Sequence, residues 1–303
     1  MLCILHDNFA EGKDLAPAGS FGVFSVAMVT DAGKPKHLTS RQLEAFHRDG
    51  YAVVQGLFSV EELTPLSDYF FGKAVRGEQV ENFWHPDPVS EDPLERFPRV
   101  MHPHRWNGPS KAILLDSRLE RVLWEVMEEE PLAVQSMYYF KPSGARGQAL
   151  HQDNRALQVR PKTCMAAWIS IDPSTEENGC LYVVPGSHIM ELVCPHKADR
   201  LVSSTSHALD VPDGMDLVPV PLNPGDVLFF NGSLIHGSNP NHHHTLWRRS
   251  YILHYIPKSS LSCAAHFCPA IDFGDNEYTV EATKGGGPCG GEYLPKGFSS
   301  GAY

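Results

Sequence analysis

Apolar residues in the first half of the chain recur every three or four positions, which is the spacing of one helix face. Three segments also begin with a hydroxyl residue that has Gln or Glu three positions later, a pair that caps the first turn of a helix. These pairs are Thr39 with Gln42, Ser59 with Glu62, and Ser117 with Glu120. They predict three helices, of which the first ends at residues 49–50. The apolar faces of the second and third contain Leu63, Leu66, Phe70, Leu119, Val122, Leu123 and Val126.

From residue 132 onward the pattern changes to short apolar runs that are separated by Gly, Pro and Asn. The runs cover residues 132–140, 164–171, 180–184, 217–222, 226–230 and 247–256. Short strands joined by turns, without helices alternating between them, are typical of an antiparallel sandwich or barrel. The pattern therefore predicts a mainly β domain with flanking helices.

The two ends of the chain differ from the middle. Residues 1–37 contain one apolar run, 20–30, which is shorter than the ~18–20 residues of a membrane-spanning helix. Glu11, Lys13 and Asp14 precede that run instead of the basic segment of a signal peptide. We predict a weakly structured leader over residues 1–37, with Met28 as an alternative start. One domain over residues 38–303 follows, ending in a Gly-rich tail, and membrane insertion is not expected.

Charge and cysteine content restrict the partners and the compartment. The formal net charge of the 303-residue chain is -11, whereas proteins that bind nucleic acid need a surplus of Lys and Arg on one face. Nucleic acid is therefore not an expected partner. The seven cysteines are odd in number and scattered, which fits free thiols in a reducing compartment better than a disulfide framework. We expect a cytoplasmic protein.

The segment His151-Gln152-Asp153, with His236 further along the chain, is the candidate metal site. Residues two apart in an extended segment point to the same side, so His151 and Asp153 can both reach one ion. Two imidazoles and one carboxylate on one face of an octahedron leave three positions free, as a non-haem Fe(II) oxygenase requires. Taken alone, His-x-Asp is weak support, because a chain with 16 histidines contains such matches by chance.

Five stretches around these residues resemble the phytanoyl-CoA dioxygenase family of Fe(II)- and 2-oxoglutarate-dependent oxygenases. They are HRDGYAVVQGLF, QALHQD, ENGCLYVVPGSH, PGDVLFFNGSLIHGSNPN and RRSYILHY, and they occur in the family's order. The resemblance implies a double-stranded β-helix (jelly roll, cupin-like) core and Fe(II) held by His151, Asp153 and His236. It also implies 2-oxoglutarate and O2 as cosubstrates. The implied reaction oxidises, most often hydroxylates, a C–H bond of a small molecule and releases succinate and CO2.

The far carboxylate of 2-oxoglutarate needs an anchor, and a guanidinium meets a carboxylate with two parallel hydrogen bonds. Arg248 and Ser250 begin the last apolar run and point the same way, and the pair resembles the family's cosubstrate clamp. Arg249 is the alternative candidate for this anchor. Strand parity turns it to the opposite face, where we expect a solvated surface charge.

Three further positions resemble supports of the cosubstrate pocket in the family, and each has a plain structural alternative. Gln148 matches a position whose amide contacts the cosubstrate, and is otherwise a turn residue. Trp168 matches a tryptophan that lines the pocket, and is otherwise a core residue. Ser238 is expected to share in binding the carboxylate.

The substrate is left open by the sequence. The loop over residues 82–107 either contacts substrate at the barrel mouth or packs on the helices, and its candidates are Trp84, His85, His102, His104, Arg105 and Trp106. Members of the family act on acyl-CoA thioesters, amino-acid-like solutes and natural products, so the resemblance does not choose among these small molecules.

Two other groups of metal-binding residue types are less suitable. The run of residues 242–244, all histidine, lies in a predicted loop after residues 239–241, and adjacent residues cannot all face one ion. Cys263 and Cys268, near His254 and His266, match no common zinc spacing. Two alternative functions stay open: a cupin-type metal enzyme without a keto acid, in which Arg248 has no role, and an inactive jelly-roll binding module, which would be free to lose the four site residues.

Overall fold

The computed structural model describes residues 38–161 and 163–283, which belong to one compact unit. The predicted leader over residues 1–37 and the Gly-rich tail lie outside the described residues. The single-domain assignment over residues 38–303 therefore stays a prediction. No helix in the described part of the chain is long and apolar enough to cross a membrane.

Among the residues that the structure describes, six α-helices flank or interrupt the strands. They are α1 (Ser40–Asp49), α2 (Val60–Val75), α3 (Pro93–Arg96), α4 (Gly108–Leu114), α5 (Ser117–Met127) and α6 (Asn154–Leu157). The predicted capping boxes of α1 and α2 are confirmed, because Thr39 and Ser59 each accept from the backbone N–H three residues on. The third cap was wrong by one residue. Helix α5 is capped by Asp116, whose side-chain carboxylate accepts a hydrogen bond from the backbone N–H of Arg118, two residues on.

Sixteen strands lie in the described part of the chain. They are β1 (Tyr51–Val54), β2 (Val100–Met101), β3 (Pro131–Tyr139), β4 (Gln148–His151), β5 (Met165–Ser170), β6 (Leu181–Val183), β7 (His196–Lys197), β8 (His207–Ala208), β9 (Val218–Val220), β10 (Val227–Asn231), β11 (His236–Ser238), β12 (Ser250–Pro257), β13 (Ser262–Ala264), β14 (Ala270–Ile271), β15 (Glu277–Tyr278) and β16 (Glu281–Thr283).

The strands form two main antiparallel sheets. The larger has the order β1-β10-β5-β12-β3-β14-β15, with β2 also paired to β3, and the smaller has the order β4-β11-β6-β9. From β3 to β6 and again from β9 to β12, the chain alternates between the two sheets, which is the winding of a double-stranded β-helix. The predicted mainly β fold with a jelly-roll core and flanking helices is confirmed.

Side chains on the two faces of the larger sheet enter two different cores. In β12, Tyr251 and Leu253 pack in the cluster that contains the buried faces of α2 and α5. Ile252, between them, packs in the cluster that lies between the sheets, together with Trp168 of β5 and Val183 of β6. Successive strand residues point to opposite faces, so even-numbered residues of β12 face the space between the sheets.

All six apolar runs form strands, which here are β3, β5, β6, β9, β10 and β12. Strands β4 and β11, in contrast, were not among the predicted apolar runs. They have four and three residues, respectively. Both are too short and too polar to produce an apolar run, and both carry residues of the candidate site.

The cysteine prediction holds in part. Cys164, Cys180, Cys263 and Cys268 are free thiols. Cys194 takes part in a disulfide, so the expectation of free thiols was wrong for this residue.

Candidate metal centre and cosubstrate pocket

The pairing of β4 with β11 brings the two predicted histidine ligands together. His151 lies directly opposite His236 in the register of the two strands, and their ring centroids are 4.2 Å apart. Asp153 Oδ1 is 3.3 Å from His151 Nε2, and Asp153 Oδ2 is 3.6 Å from His236 Nε2. The three candidate ligand atoms therefore all lie within 4.8 Å of one another.

The reason predicted for the position of Asp153 was wrong, although the outcome was right. Strand β4 ends at His151, and Asp153 has helical backbone angles at the start of α6. The chain turns at Gln152, whose side-chain amide donates to the carbonyl of Ser233 (2.8 Å) and accepts from the N–H of Val193 (2.8 Å). This turn, and not strand parity, directs the carboxylate back to the two imidazoles.

Backbone carbonyls set the tautomer of both histidines. His151 Nδ1 lies 2.9 Å from the carbonyl oxygen of Ala149, and His236 Nδ1 lies 3.0 Å from that of Leu234. Because a carbonyl oxygen only accepts, each Nδ1 carries the hydrogen. The lone pair of each neutral ring is then on Nε2, the atom that faces Asp153.

The charge states of the three groups suit a cation. Burial, with a contribution from His151, lowers the pKa of His236 to about 4, so its ring is neutral at pH 7. Burial raises the pKa of the Asp153 carboxyl, but the neighbouring His236 and His254 outweigh it and hold the pKa well below its ordinary value. The group therefore offers two imidazole Nε2 atoms, of which that of His236 belongs to a neutral ring, and one anionic oxygen.

His254 is a third histidine at this centre, and the sequence analysis did not place it there. It lies on β12 and is buried, and its Nε2 is 2.9 Å from Asp153 Oδ2. Its side chain points between the sheets because His254 has the same parity as Ser250 and Ile252. The parity of the last predicted strand would have been sufficient to place it on the site side.

Arg248 lies at the other end of the cavity and is 3% exposed. Its Nη1 donates to Ser250 Oγ (3.0 Å), its Nε donates to the carbonyl of Gly179 (3.2 Å), and its guanidinium lies 5.3 Å from the ring centroid of Trp168. Burial lowers the pKa of Arg248 to about 10, so it is still a cation at pH 7. The structure thus brings Arg248, Ser250 and Trp168 together.

Arg249 points away from this pocket, as strand parity predicted, but it is not a solvated surface charge. Its Nε and Nη2 donate to the two carboxylate oxygens of Asp172, at 2.8 and 2.6 Å, and its Nη1 donates to Ser67 Oγ of α2 at 2.7 Å. The expectation failed because the outer face of this sheet is covered by helices, so a charge there needs a partner.

Lys141 is a second buried basic residue near Arg248, and the sequence analysis did not identify it. Burial, and then the neighbouring Arg248, lower the pKa of Lys141 well below its ordinary value. Its Nζ donates to the carbonyl of Asn239 (2.6 Å) and to Ser238 Oγ (2.9 Å), and lies 3.4 Å from the carbonyl oxygen of Gly179. Gly179 has φ +80°, and a Cβ at this position would be 2.4 Å from the carbonyl oxygen of Asn239. A glycine is therefore required where this turn passes between Lys141 and Arg248.

The predicted supports lie between the two ends. Gln148 Nε2 is 3.0 Å from His151 Nε2, and Tyr139 donates its hydroxyl to Gln148 Oε1 at 3.0 Å. One cavity is lined by seven of the eight predicted site residues, and Ser250 contacts Arg248. The seven are Gln148, His151, Asp153, Trp168, His236, Ser238 and Arg248.

The 82–107 loop contributes less to this cavity than its composition suggested. The described residues that line the cavity include Arg99 and Met101 but none of the six candidates from that loop. Trp84, His102 and His104 are buried in packing against neighbouring elements. The alternative of packing on the helices therefore describes these three residues better.

The 242–244 run, Cys263 and Cys268 are not among the described residues that line the cavity, whereas His254 and His266, the two histidines near those cysteines, do line it. His242 and His244 are exposed in a loop. His243 Nδ1 accepts hydrogen bonds from the backbone N–H groups of Thr245 and Leu246. Cys263 Sγ and Cys268 Sγ lie 3.1 Å apart. Within residues 38–161 and 163–283, the group of ligand types with metal-binding geometry is His151, Asp153 and His236.

Comparison with known proteins agrees with this arrangement. The family model for phytanoyl-CoA dioxygenase (PhyH) matches residues 46–250. The chain is 26% identical over 239 residues to Phytanoyl-CoA dioxygenase 1 of Oryza sativa subsp. japonica, covering 67% of this chain and 84% of that protein. It is 25% identical over 210 residues to a methylphosphonate hydroxylase of Gimesia maris (strain ATCC 29201 / DSM 8797 / 534-30), covering 67% and 75%.

Solved structures share the fold. The epimerase SnoN, crystallised in complex with Fe3+, alpha ketoglutarate and nogalamycin RO, superposes with a TM-score of 0.59 at 20% identity. The superposition covers 73% of this chain and 84% of SnoN.

Proposed function

The chain belongs to the phytanoyl-CoA dioxygenase family of Fe(II)- and 2-oxoglutarate-dependent oxygenases, and from this premise we propose that it oxidises a C–H bond of a small molecule, most simply by hydroxylation. One observation carries the proposal. Two histidine Nε2 atoms and one carboxylate converge at one end of a cavity whose other end is formed by the buried Arg248.

His151, Asp153 and His236 are the proposed iron ligands. Two imidazoles and a carboxylate that leave the cavity side open suit a non-haem Fe(II) centre, whereas structural zinc prefers four protein ligands. The hydrogen bonds from Nδ1 to Ala149 and Leu234 keep each Nε2 available. When bound, iron and 2-oxoglutarate supply the oxidising equivalents from O2, with release of succinate and CO2.

Arg248 is the proposed anchor for the distal carboxylate of 2-oxoglutarate, with Ser250 and Ser238 as hydroxyl partners. The guanidinium is held by Ser250 and Gly179 and lies over Trp168, so few orientations are open to it before the cosubstrate binds. A clamp that is already oriented loses little conformational freedom on binding. Gln148, next to His151, is placed to contact the keto-acid end.

Apolar side chains between the two ends exclude water from the reacting groups. Met137, Leu181, Phe230 and Ile252 line the cavity alongside the candidate ligands. A drier site strengthens each electrostatic contact within it. These residues thus favour cosubstrate binding and protect the oxidising centre from solvent.

The proposed substrate is a small molecule that docks over the metal ligands: a natural product, an amino-acid-like solute or an acyl compound. The names of the methylphosphonate hydroxylase and of the nogalamycin epimerase indicate how varied such substrates are among similar proteins. A cytoplasmic location stays a prediction. The two alternative functions are less favoured because Arg248 has a role when a carboxylate binds, and because the ligand set and the clamp are both complete.

The function can be tested without knowing the substrate. Anaerobic protein with Fe(II) and 2-oxoglutarate should give a weak metal-to-ligand charge-transfer band in the visible. The band should be absent in His151→Ala and His236→Ala and present in His242→Ala, whose histidine is exposed in a loop. Aerobic incubation with a metabolite library should then release succinate for the true substrate. Tightly bound zinc with four protein ligands, and no such band, would contradict the proposal.

A further inference from the structure

Three histidines face the Asp153 carboxylate through Nε2, but their second ring nitrogens have different surroundings. His151 Nε2 lies 3.3 Å from Asp153 Oδ1, whereas His236 Nε2 and His254 Nε2 lie 3.6 and 2.9 Å from Oδ2. His151 Nδ1 and His236 Nδ1 each lie against a backbone carbonyl oxygen. His254 Nδ1 is buried and has no hydrogen-bond partner among the residues that the structure describes. The third ring is therefore bound differently from the two candidate ligands.

This difference decides which ring atom carries the hydrogen. A neutral imidazole has one N–H donor and one nitrogen lone pair. In His151 and His236 the carbonyl keeps the hydrogen on Nδ1 and leaves the lone pair on Nε2, the arrangement of a metal ligand. In His254 the one acceptor within reach is Asp153 Oδ2, so the hydrogen is on Nε2 and is donated to that oxygen. A nitrogen that carries a hydrogen does not bind a metal ion, and His254 is thus not a fourth ligand.

The position of His254 agrees with this assignment. Within the described part of the chain, the group with metal-binding geometry contains His151, Asp153 and His236 but not His254. His254 is on β12 of the larger sheet, whereas the two candidate histidine ligands are on β4 and β11 of the smaller one. It therefore approaches the carboxylate from the opposite sheet.

Burial of His254 is costly unless the contact with Asp153 serves a purpose. The side chain is 1% exposed, and among the described residues its hydrogen bond to Asp153 is the one that it makes. A buried polar atom without a partner, as Nδ1 is here, lowers stability. The packing of β12 alone would be satisfied by an apolar side chain. The contact with Asp153 is consequently the feature that distinguishes histidine at this position.

The hydrogen bond restricts how Asp153 can bind a metal ion. Carboxylates bind cations through one oxygen or through both. A carboxylate that used both oxygens, together with two histidines, would leave two positions of an octahedron, whereas a bidentate keto acid and O2 need three. A charge-assisted hydrogen bond from His254 draws electron density from Oδ2 and fixes the direction of the carboxylate. Oδ1 is then the better metal ligand.

We propose that His254 is a positioning residue whose Nε2–H holds Asp153 Oδ2, so that Asp153 binds iron through Oδ1 alone and a third position stays open for the cosubstrate and O2. The inference rests on the proposed function, because it takes His151, Asp153 and His236 as the iron ligands. It also separates this centre from a cupin-type site, in which a further histidine would bind the ion.

Two amide variants of His254 test the hydrogen-bond donor. Glutamine has as many bonds between Cβ and its amide nitrogen as histidine has between Cβ and Nε2, whereas asparagine has one bond fewer and does not reach Oδ2. Mn(II) is titrated by calorimetry into each protein without 2-oxoglutarate. His254→Asn should weaken Mn(II) binding about 10–100-fold, the range for losing a partner that orients a metal ligand. His254→Gln should recover most of the affinity.

His104→Asn is the matched control, because His104 is also buried but its Nδ1 lies 2.6 Å from Ser136 Oγ and not at the metal end. It should bind Mn(II) as the wild type does. Equal affinity of the wild type and His254→Asn overturns the proposal, and so does equally weak binding by the asparagine and glutamine variants. If His254 were itself a ligand, His254→Gln would lose Mn(II) binding to the same extent as His236→Ala. His254→Leu replaces the asparagine variant if that protein does not fold.

The charge-transfer band tests the open position. At saturating Fe(II) without O2, loss of the hydrogen bond in His254→Asn frees Asp153 Oδ2 to compete with the keto acid. The 2-oxoglutarate concentration that gives half of the band should then rise about tenfold, the equivalent of one hydrogen bond, and should stay near the wild-type value in His254→Gln. A wild-type protein without the band rejects the proposed function. A wild-type band whose 2-oxoglutarate dependence is unchanged in His254→Asn rejects only the role of His254.

Discussion

The two ends of the cavity have opposite charge. At the metal end, one carboxylate is surrounded by three histidines that face it through Nε2. At the clamp end, Arg248 and Lys141 are buried with no carboxylate bound to either in the described part of the chain. One end therefore attracts a cation and the other an anion. Because an uncompensated buried charge is costly, each ligand should stabilise the fold at its own end.

The ends also differ in burial and in the elements that build them. The metal end is formed by short strands of the smaller sheet and the start of α6, and the His151 side chain is 29% exposed. The clamp end is formed by β12 and the turn at Gly179, and Arg248 is 3% exposed. A metal ion can therefore enter the metal end from the side on which His151 is exposed. The carboxylate of the cosubstrate, in contrast, meets hydrogen-bond donors at the clamp end that are already fixed by packing.

The substitution with the largest expected effect removes a ligand at the metal end and leaves the clamp end intact. His236→Ala should abolish the rise in melting temperature that Mn(II) produces, because it removes one of three ligands and its neutral Nε2. The rise produced by 2-oxoglutarate alone should persist, since its carboxylate binds at the distant Arg248. Differential scanning fluorimetry with each ligand separately measures both. Loss of both responses would show that the two ends are not independent.

Arg248→Ala is the reciprocal variant and should have the next largest effect. It removes a buried cation that faces the carboxylate site, so we expect a loss of ~2–4 kcal/mol in 2-oxoglutarate binding, the range for truncating one partner of a buried charged pair. Mn(II) binding should remain. Isothermal calorimetry with 2-oxoglutarate gives the loss directly. An unchanged dissociation constant would remove Arg248 from the clamp.

Arg249→Ala sharpens the assignment of the clamp to one face of β12. Arg249 is bound to Asp172 and Ser67 on the helix side, so 2-oxoglutarate affinity should stay near that of the wild type. Stability should fall by about 1–2 kcal/mol, between the values for exposed and buried ion pairs, because Asp172 loses its partner. Urea unfolding and calorimetry separate the two effects. A larger loss of affinity than in Arg248→Ala would mean that the register is displaced by one residue.

The smallest effect concerns acid, to which the buried His104 beside Ser136 of β3 responds and the guanidinium of the clamp does not. Burial lowers the pKa of His104 to about 3, below its ordinary value of 6.5. Below pH 6.5 the His104 ring therefore binds a proton in the unfolded chain but stays neutral in the folded chain. The free energy of unfolding consequently falls as the pH is lowered from 6.5 toward 3. For this residue the loss should be about 1 kcal/mol between pH 6.5 and 5.5.

His104→Gln tests that contribution, since glutamine can still bond Ser136 Oγ, which lies 2.6 Å from His104 Nδ1. The variant should lose about 1 kcal/mol less than the wild type in urea unfolding between the same two pH values. The free energy of unfolding is compared within each protein, so a constant effect of the substitution cancels. Parallel pH profiles for the two proteins would show that His104 is not responsible.

Short patterns predicted much of the candidate site. The His-x-Asp segment and the Arg-x-Ser pair are each local, so neighbouring residues already indicated which side chains share a face. The argument from parity nevertheless failed for Asp153, where β4 had already ended, and the expectation for Arg249 failed because a helix covers its face. In both cases the local pattern predicted correctly to which side the side chain points, but it did not predict which backbone turn or neighbouring helix surrounds it.

The sequence by itself determined the strand-rich fold and the caps of α1 and α2, because these depend on residues a few positions apart. It also identified the candidate ligands and Arg248, through five stretches that resemble one family and occur in that family's order. Only the tertiary structure decided that His254 contacts Asp153, that Lys141 lies beside Arg248, and that Arg99 lines the same cavity as the candidate ligands. Those contacts join segments that are far apart in the chain and carry no shared local pattern. They arise when β11 pairs with β4 and β12 pairs with β3, since the register of these strands sets which distant side chains meet.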